Sequence, residues 1–430
     1  MKSKGYHHDH IGGRRLHGDT LMLSYGFDPG LSEGAIKPPV FLTSTFAYPT
    51  AEDGRRLFDE TSGRSDATAP GGPGLLYSRF NNPNVQIVEE RLSVLEGAET
   101  CALFSSGMAA ISTTLLAATL PGDVVLHSNP LYGGTDALIR NVLRPRGVES
   151  VGFLDGVSES AIREAAEAAM ALGRVAVIFA ETPSNPTNTL VDIAALGRIA
   201  GEIEAEQGHR PLVVVDNTFL GPLFQKPLEL GADIVVYSIT KYVAGHSDLV
   251  AGAALGSKSA MQAVKVLRPL LGPSLDPHSA WMIGRSLETL HLRMERAFQS
   301  AERIARWLDE RPEVTGVCHP ALLPQDAPAR AVYERQCTAG GATFSFTVAG
   351  GEPAAFATLD AFRIIKQAVS LGGSESLACH PGTTVHSSLS KTEREALGVS
   401  GGLIRLSIGL EHPDDLIADL EQALAAGGAT

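Results

Sequence analysis

Between residues 100 and 240 the chain repeats one arrangement, and that repetition limits its fold more than any other feature. Short apolar runs, 101-CALF-104, 123-DVVLH-127, 175-VAVIFA-180, 212-LVVV-215 and 233-DIVVY-237, alternate with stretches of helical character such as 159-ESAIREAAEAAMALG-173 and 192-DIAALGRIAGEIEAEQG-208. A run that is apolar at every position belongs to a strand covered on both faces. Such strands, joined through helices, form a mostly parallel sheet of the α/β class. Just before the series, 85-VQIVEERLSVLEG-97 carries apolar residues at 85, 88, 92 and 95, the spacing of one helix face, with Gly97 to end it.

The pattern changes beyond about residue 275. A long helical region is expected over 278–310, then strands near 342-ATFSFTV-348, 364-IIKQAVSL-371 and 403-LIRLSIG-409, then a final helix over 412–427. These segments describe a smaller C-terminal α+β domain. Residues 1–80 read as irregular. The segment 60–74 has four Gly, two Pro and no large apolar residue, which is the composition of an exposed loop.

Composition narrows the function classes. The formal net charge is −13, from 35 Lys+Arg against 48 Asp+Glu, and no long basic run occurs. Binding to nucleic acid or to an anionic membrane needs a positive footprint, so neither is expected. The first residues lack the apolar core of a signal peptide, and the most apolar runs are too short to span a bilayer. Cys101, Cys318, Cys337 and Cys379 are scattered and form no disulfide framework, which fits a reducing, cytoplasmic setting. His7, His8 and His10 read as a disordered tail, and no metal site is expected. Charged residues make up 19% of the chain, against about a quarter in soluble proteins. That leaves apolar surface for an oligomer to cover.

In an open parallel sheet, ligands bind beyond the C-terminal ends of the strands, so the polar residues there are the candidates for chemistry. In 104-FSSGMAAIS-112 a strand gives way to a helix, and Gly107 lets backbone amides approach an anion such as phosphate. The same residues equally suit an ordinary strand–helix turn. Asp216 ends the strand 212–215, where a carboxylate can pair with a cationic ring nitrogen or simply cap a helix. Ser238, Thr240 and Lys241 follow the strand 233–237: two hydroxyls beside an amine whose pKa burial would lower. Most lysines, however, are surface residues. Asn185, in 181-ETPSNPT-187, can donate to a ring oxygen or belong to a plain turn. Together these residues place an amine, a carboxylate, an amide and a phosphate cradle at neighbouring strand ends. A pyridoxal 5′-phosphate (PLP) site needs those parts.

The motifs 77-YSRFNNPN-84, 105-SSGMAA-110, 132-YGGT-135, 181-ETPSNPT-187, 213-VVVDNTF-219, 238-SITKY-242, 245-GHSD-248, 370-SLGGSESL-377 and 405-RLSIGLE-411 resemble, in order, those of the Cys/Met-metabolism PLP enzymes. This is the trans-sulfuration family of fold type I, and the resemblance runs from about residue 34 to 425. It implies an N-terminal arm and dimer-contact segment (1–81), a PLP-binding α/β domain (82–292) and a C-terminal α+β domain (293–430). Lys241 resembles the Schiff-base lysine that also moves protons, and Asp216 the partner of the pyridine nitrogen. The amides of Gly107 and Met108, with Ser238 and Thr240, resemble the phosphate ligands, and Thr218 belongs to the same cofactor set. Tyr77 and Arg79 resemble the pair that reaches the phosphate from a neighbouring subunit, which implies a homotetramer built from two active-site dimers. Tyr77 also borders the substrate. Tyr132 resembles the ring that stacks on the cofactor and helps protonate the leaving group. Arg405 resembles the clamp on the substrate carboxylate, with Asn185 and Ser370 as its helpers.

The resemblance implies a small amino-acid substrate and γ-elimination of the methionine γ-lyase type. A γ-replacement synthase or a cystathionine γ-lyase is the alternative, and a non-enzymatic PLP-binding protein a remote one. Where cystathionine enzymes commonly carry a glutamate, before SLGG, this chain has Val369. Where many methionine γ-lyases carry a cysteine, it has Gly134. The segment 59–74 carries Asp59, Glu60 and Asp66. Those acids suggest a cationic γ-substituent such as the guanidino-oxy group of canavanine, unless the loop is merely solvated.

Overall fold

The computed structural model describes residues 7–61 and 74–428. The helix Pro83–Glu96 (α1) ends on Gly97, whose φ of +81° is open to glycine at no steric cost. Seven strands then build the large sheet: Thr100–Phe104 (β1), Asp123–Ser128 (β2), Glu149–Phe153 (β3), Arg174–Glu181 (β4), Leu212–Asp216 (β5), Ile234–Tyr237 (β6) and Gly252–Gly256 (β7). Their order across the sheet is β1-β7-β6-β5-β4-β2-β3. The pairs β2/β3, β2/β4, β4/β5 and β5/β6 are parallel, and β7 alone runs against its two neighbours.

The uniformly apolar runs are explained by what lies on each face. Along β5, Val214 enters one core and Val213 and Val215 enter another. The first core is closed by Gly107–Ala118 (α2) and Lys258–Leu271 (α5), the second by Glu159–Leu172 (α3) and Ile193–Gln207 (α4). Side chains alternate across a strand, so a strand buried on both faces must be apolar throughout.

Pro277–Leu287 (α6) and Leu290–Asp309 (α7) carry the chain to a five-stranded sheet. Its strands are Val314–Cys318 (β8), Thr343–Val348 (β9), Lys366–Gln367 (β10), Leu377–Cys379 (β11) and Leu403–Ser407 (β12), in the order β8-β9-β12-β11-β10. Gly351–Ala361 (α8) and Pro413–Gly428 (α9) pack together. A third core joins α1, α6 and α7 to this sheet. The α/β class with a separate, smaller C-terminal sheet is as expected from the sequence.

Several expectations need correction. Residues 278–310 form two helices, because the backbone leaves helical geometry at Thr289 (φ −119°, ψ 11°). The segment 364–371 pairs as a strand only at Lys366–Gln367, and its second half turns to the functional cavity. The N-terminal region is less irregular than it reads. Gly18–Ser24 and Ala51–Thr61 are helical, and His10–Ile11 pairs with Arg14–Arg15, so His10 lies in a small hairpin rather than a tail. β3 escapes a search for apolar runs because ESVGF is an edge strand with one buried residue. β7, GAALG, escapes because it is made of small residues. A Cβ at Gly252 would lie 2.2 Å from the Ser106 carbonyl oxygen, so the strand is glycine for want of room. β8 and β11 also follow no apolar run. Among the described residues no helix is long and apolar enough to cross a membrane.

Phe179 of β4 is fully buried in the core under α2. Phe179→Ala should destabilise the protein by about 3–5 kcal/mol, seen as a lower midpoint in denaturant titrations.

Candidate active site

The parallel register sets the site. Glu181 and Asp216 are paired residues at the C-terminal ends of β4 and β5. Ser238, Thr240 and Lys241 leave the end of β6, Ser106 to Met108 the end of β1, and Tyr132 the end of β2. The small sheet supplies Arg405 from β12, and residues 369–371 come from the segment after β10. All of these groups border one cavity of about 400 Å³.

Glycine lets the segments approach one another. At Gly372 the φ is +75°, and a Cβ there would lie 2.7 Å from the Tyr242 nitrogen, so the 370–373 turn fits against Lys241 only without a side chain. A Cβ at Gly107 would lie 2.8 Å from Ser238 Cβ. That closeness sets the first turn of α2 directly beside Ser238. The N-cap Ser106 Oγ accepts from the Ala109 amide at 3.0 Å and leaves the amides of Gly107 and Met108 for another acceptor.

The charged groups are buried, Lys241 only in part, and incompletely matched. Arg405 is only 2% exposed, and its Nη1 donates to Asn185 Oδ1 at 3.1 Å. Its Nη2 donates to the carbonyls of Val369 at 2.6 Å and Ser370 at 3.2 Å. A buried guanidinium held by neutral acceptors is a receptor for an anion, and its planar fork suits a carboxylate. Lys241 Nζ donates to Ser370 Oγ at 3.3 Å. Burial and the charge of Arg405 bring its pKa down from 10.5 to about 8. Asp216 accepts from the amide and the hydroxyl of Thr218 at 3.0 and 2.6 Å. Burial pushes its pKa up despite those donors. Thr218 in turn accepts from the Ser238 amide at 2.9 Å, which ties the ends of β5 and β6 together.

Most of the residues expected from the sequence meet here: Lys241, Tyr132, Gly107, Met108, Asp216, Thr218, Ser238, Thr240, Asn185, Ser370 and Arg405 all line the cavity. The Thr240 hydroxyl is engaged, donating to the Ala251 carbonyl at 3.1 Å and accepting its amide at 3.0 Å. Tyr77 and Arg79 do not line this cavity. Arg79 Nη1 donates to the Pro269 carbonyl at 2.8 Å, and its guanidinium stacks over Phe80. Asp59 and Glu60 sit in the helix Ala51–Thr61 rather than in a loop, with Glu60 bonded to Arg56 at 2.9 Å. Asp66 lies outside the described residues.

Sequence reasoning missed Glu181. It accepts the Tyr132 amide at 2.7 Å and the Asn185 amide at 2.8 Å, and burial, then Asp216, pushes its pKa up. The signal was available: an acid closing the apolar run 175–180. It also missed the apolar lining from Phe219, Val250 and Val385, which sit in unremarkable sequence.

The cavity fits PLP on three counts. A buried amine can take an aldehyde, a buried carboxylate lacking a cation can take a ring nitrogen, and free helix amides can take a phosphate. The comparisons agree. The family described as Cys/Met metabolism PLP-dependent enzyme matches residues 19–425. An L-methionine gamma-lyase of Pseudomonas deceptionensis is 40% identical over 95% of this chain and 97% of its own length. An O-succinylhomoserine sulfhydrylase of Pseudomonas aeruginosa is 37% identical, with 95% of each chain covered. The crystal structure of a cystathionine gamma synthase from Xanthomonas oryzae pv. oryzae in complex with cystathionine superposes with a TM-score of 0.85 at 32% identity, over 97% of this chain and 100% of that one.

Only the neutral amine attacks an aldehyde. Apo-protein mixed with PLP should therefore acquire its cofactor absorbance at a rate that rises with pH to about 8 and then flattens. The stability linkage has the same window. The folded amine loses its proton before the unfolded one, so Lys241 opposes folding of the apo-protein below about pH 8, and this fades between about 8 and 10.5.

Proposed function

This chain belongs to the Cys/Met metabolism PLP-dependent enzymes, and within that family we propose that it is a lyase catalysing γ-elimination from a Cγ-substituted L-amino acid with a neutral thioether, L-methionine foremost. One observation carries the reading. A buried guanidinium and a depressed amine face a single cavity whose remaining lining includes Val250, Val369 and Val385. The methionine γ-lyase relative supports it. The overall change is one methionine and one water to methanethiol, 2-oxobutyrate and ammonia.

When bound, PLP supplies an electron sink that makes the protons at Cα and Cβ removable. Arg405 binds the substrate α-carboxylate, oriented by Asn185 and by the carbonyls of 369 and 370. Lys241 would hold the cofactor through its aldehyde and, as a free amine, would take the substrate Cα proton and pass it on. A pKa near 8 leaves a working fraction of free amine at neutral pH. Tyr132 would help hold the cofactor ring, and its hydroxyl would protonate the departing sulfur. Asp216 would hold the ring nitrogen, and the amides of Gly107 and Met108, with Ser238, would hold the phosphate. Thr240 steadies the turn through Ala251.

Tyr77 and Arg79 act in the neighbouring subunit's site. Tyr77 is exposed, and beside the Arg79–Pro269 contact Leu270 and Leu271 are exposed as well, an apolar surface suited to a second copy. The full assembly is a homotetramer of two such dimers.

A cationic substituent such as that of canavanine has no support. Asp59 and Glu60 belong to the helix Ala51–Thr61 and do not line the cavity, and Glu60 pairs with Arg56. Val369 offers no charge to the distal amino group of cystathionine. The second reading is γ-replacement, favoured by the similar identity to the sulfhydrylase.

Product analysis with methionine, cystathionine and O-acylhomoserines, each with and without added thiol, separates these outcomes. Release of 2-oxobutyrate and methanethiol from methionine alone is expected. A thioether product formed only with O-acylhomoserine and thiol would reverse the assignment. Lys241→Ala should abolish both the cofactor band and turnover. If no amino acid perturbs the cofactor spectrum, the chain is a binder and not an enzyme. In subunit mixing, Arg79→Ala and Lys241→Ala are each expected to be nearly inactive, and their hybrid should regain activity in one site of each dimer. No regain would mean that Arg79 acts within its own chain.

A further inference from the structure

We propose that Glu181 is a positioning residue whose single carboxylate holds the Tyr132 backbone and the Asn185–Arg405 clamp at a set spacing across the cavity. The inference rests on the roles given above to Tyr132 and Arg405. Glu181 is 5% exposed, and its two oxygens go to different loops. Oε2 accepts the amide of Tyr132 at 2.7 Å, and Oε1 accepts the amide of Asn185 at 2.8 Å. Asn185 then accepts Arg405 at 3.1 Å through its side chain. The Glu181 amide donates to Ser128 Oγ at 3.0 Å, so the base of this bridge is tied to the end of β2. The residue that covers the cofactor and the residue that binds the carboxylate are thus linked through one side chain.

A purely structural role explains this poorly. Burying a carboxylate is costly, and it is costlier beside the like charge of Asp216. Two loop amides can be satisfied by water at far lower cost. What the Glu181 side chain adds is two oxygens at a fixed separation, one for each amide. Both amides belong to residues that line the cavity, outside the strands of the sheet. Glutamine keeps the length but turns an NH2 group towards one of the two N–H donors, so one loop must let go.

The test uses the PLP-loaded protein and glycine, which has an α-carboxylate and no leaving group. Its binding is read from the cofactor absorbance, and the seating of the Tyr132 ring from visible circular dichroism of the cofactor. Glu181→Gln is expected to raise the glycine Kd by about tenfold or more and to change the dichroic band. A folded Glu181→Gln protein with glycine affinity within about twofold of the unaltered one and an unchanged band would overturn the proposal. The second variant is Glu181→Asp, which keeps both acceptor oxygens and shortens their reach to the two amides. It should also weaken glycine binding, by about threefold or more. A folded Glu181→Asp protein with the glycine affinity and dichroic band of the unaltered one overturns the proposal even where Glu181→Gln does not fold. If glycine leaves the unaltered protein's spectrum unchanged, the reading of the site itself fails, a result distinct from either of these.

Discussion

The parallel pairing of β4 with β5 is the constraint on which the site depends. It ends both strands at one level, with Glu181 opposite Asp216. Two carboxylates are thereby brought together where burial has removed most of the water that would stabilise them. Among the described residues neither forms an ion pair, and both are pushed towards protonation. The unfavourable charge is offset locally. Asp216 takes two bonds from Thr218, and Glu181 takes two loop amides. What remains is a site electrostatically ready for a cationic ring, as preorganised sites are. A cation bound at Asp216 would also relieve the repulsion felt by Glu181.

The amine and the guanidinium belong to the same balance from the other side. Lys241 loses affinity for its proton because it is buried and because Arg405 is near. Arg405 comes from the small sheet, so the two sheets must meet for the amine to be activated. They meet through Gly372, where a side chain would collide with Tyr242 and Lys241, and through the Arg405 bonds to 369 and 370. The reactivity of Lys241 is therefore a property of the assembled chain. In isolation the large sheet would keep its lysine but lose Arg405, which adds to the effect of burial on its pKa.

How much of this was legible in the sequence differs by kind of feature. The buried parallel strands were legible because burial on both faces leaves only apolar residues, as in 175–180 and 212–215. Lys241, Asp216, Asn185 and Arg405 were legible because each stands in a motif with neighbours of a specific type. β3 and β7 were not, since an exposed edge and a strand of small residues both lack the apolar run that marks a core strand. The break at Thr289 was hidden because both helices continue one amphipathic pattern. Glu181 was overlooked for a different reason. Its role depends on where its two oxygens point, and that follows from register and from two loops, at 132 and 185, far apart in sequence rather than from any local spacing. The acids at 59 and 60 show the reverse error, since composition suggested a loop and the helix Ala51–Thr61 had already enlisted Glu60 in an ion pair.

Elimination and replacement share every residue up to departure of the γ-substituent. The outcome then depends on whether a thiol arrives before the remaining fragment is released. Two competing steps that differ by about 1.4 kcal/mol in barrier divide their product roughly ten to one. One or two contacts at the cavity mouth are worth that much. This is why relatives called a lyase and a sulfhydrylase can be nearly equally similar to one chain. The core groups, Lys241, Asp216 and Arg405, are held by buried partners and have little latitude. The deciding residues must be those with room to vary. Val369 keeps its carbonyl on Arg405 while its side chain is 56% exposed, and Val250 is 60% exposed. Gly134 is different: a Cβ there would lie 2.6 Å from the Tyr132 ring, so any side chain at that position moves that ring. At 369 the carbonyl holds the Arg405 guanidinium, and the residue also borders the cavity.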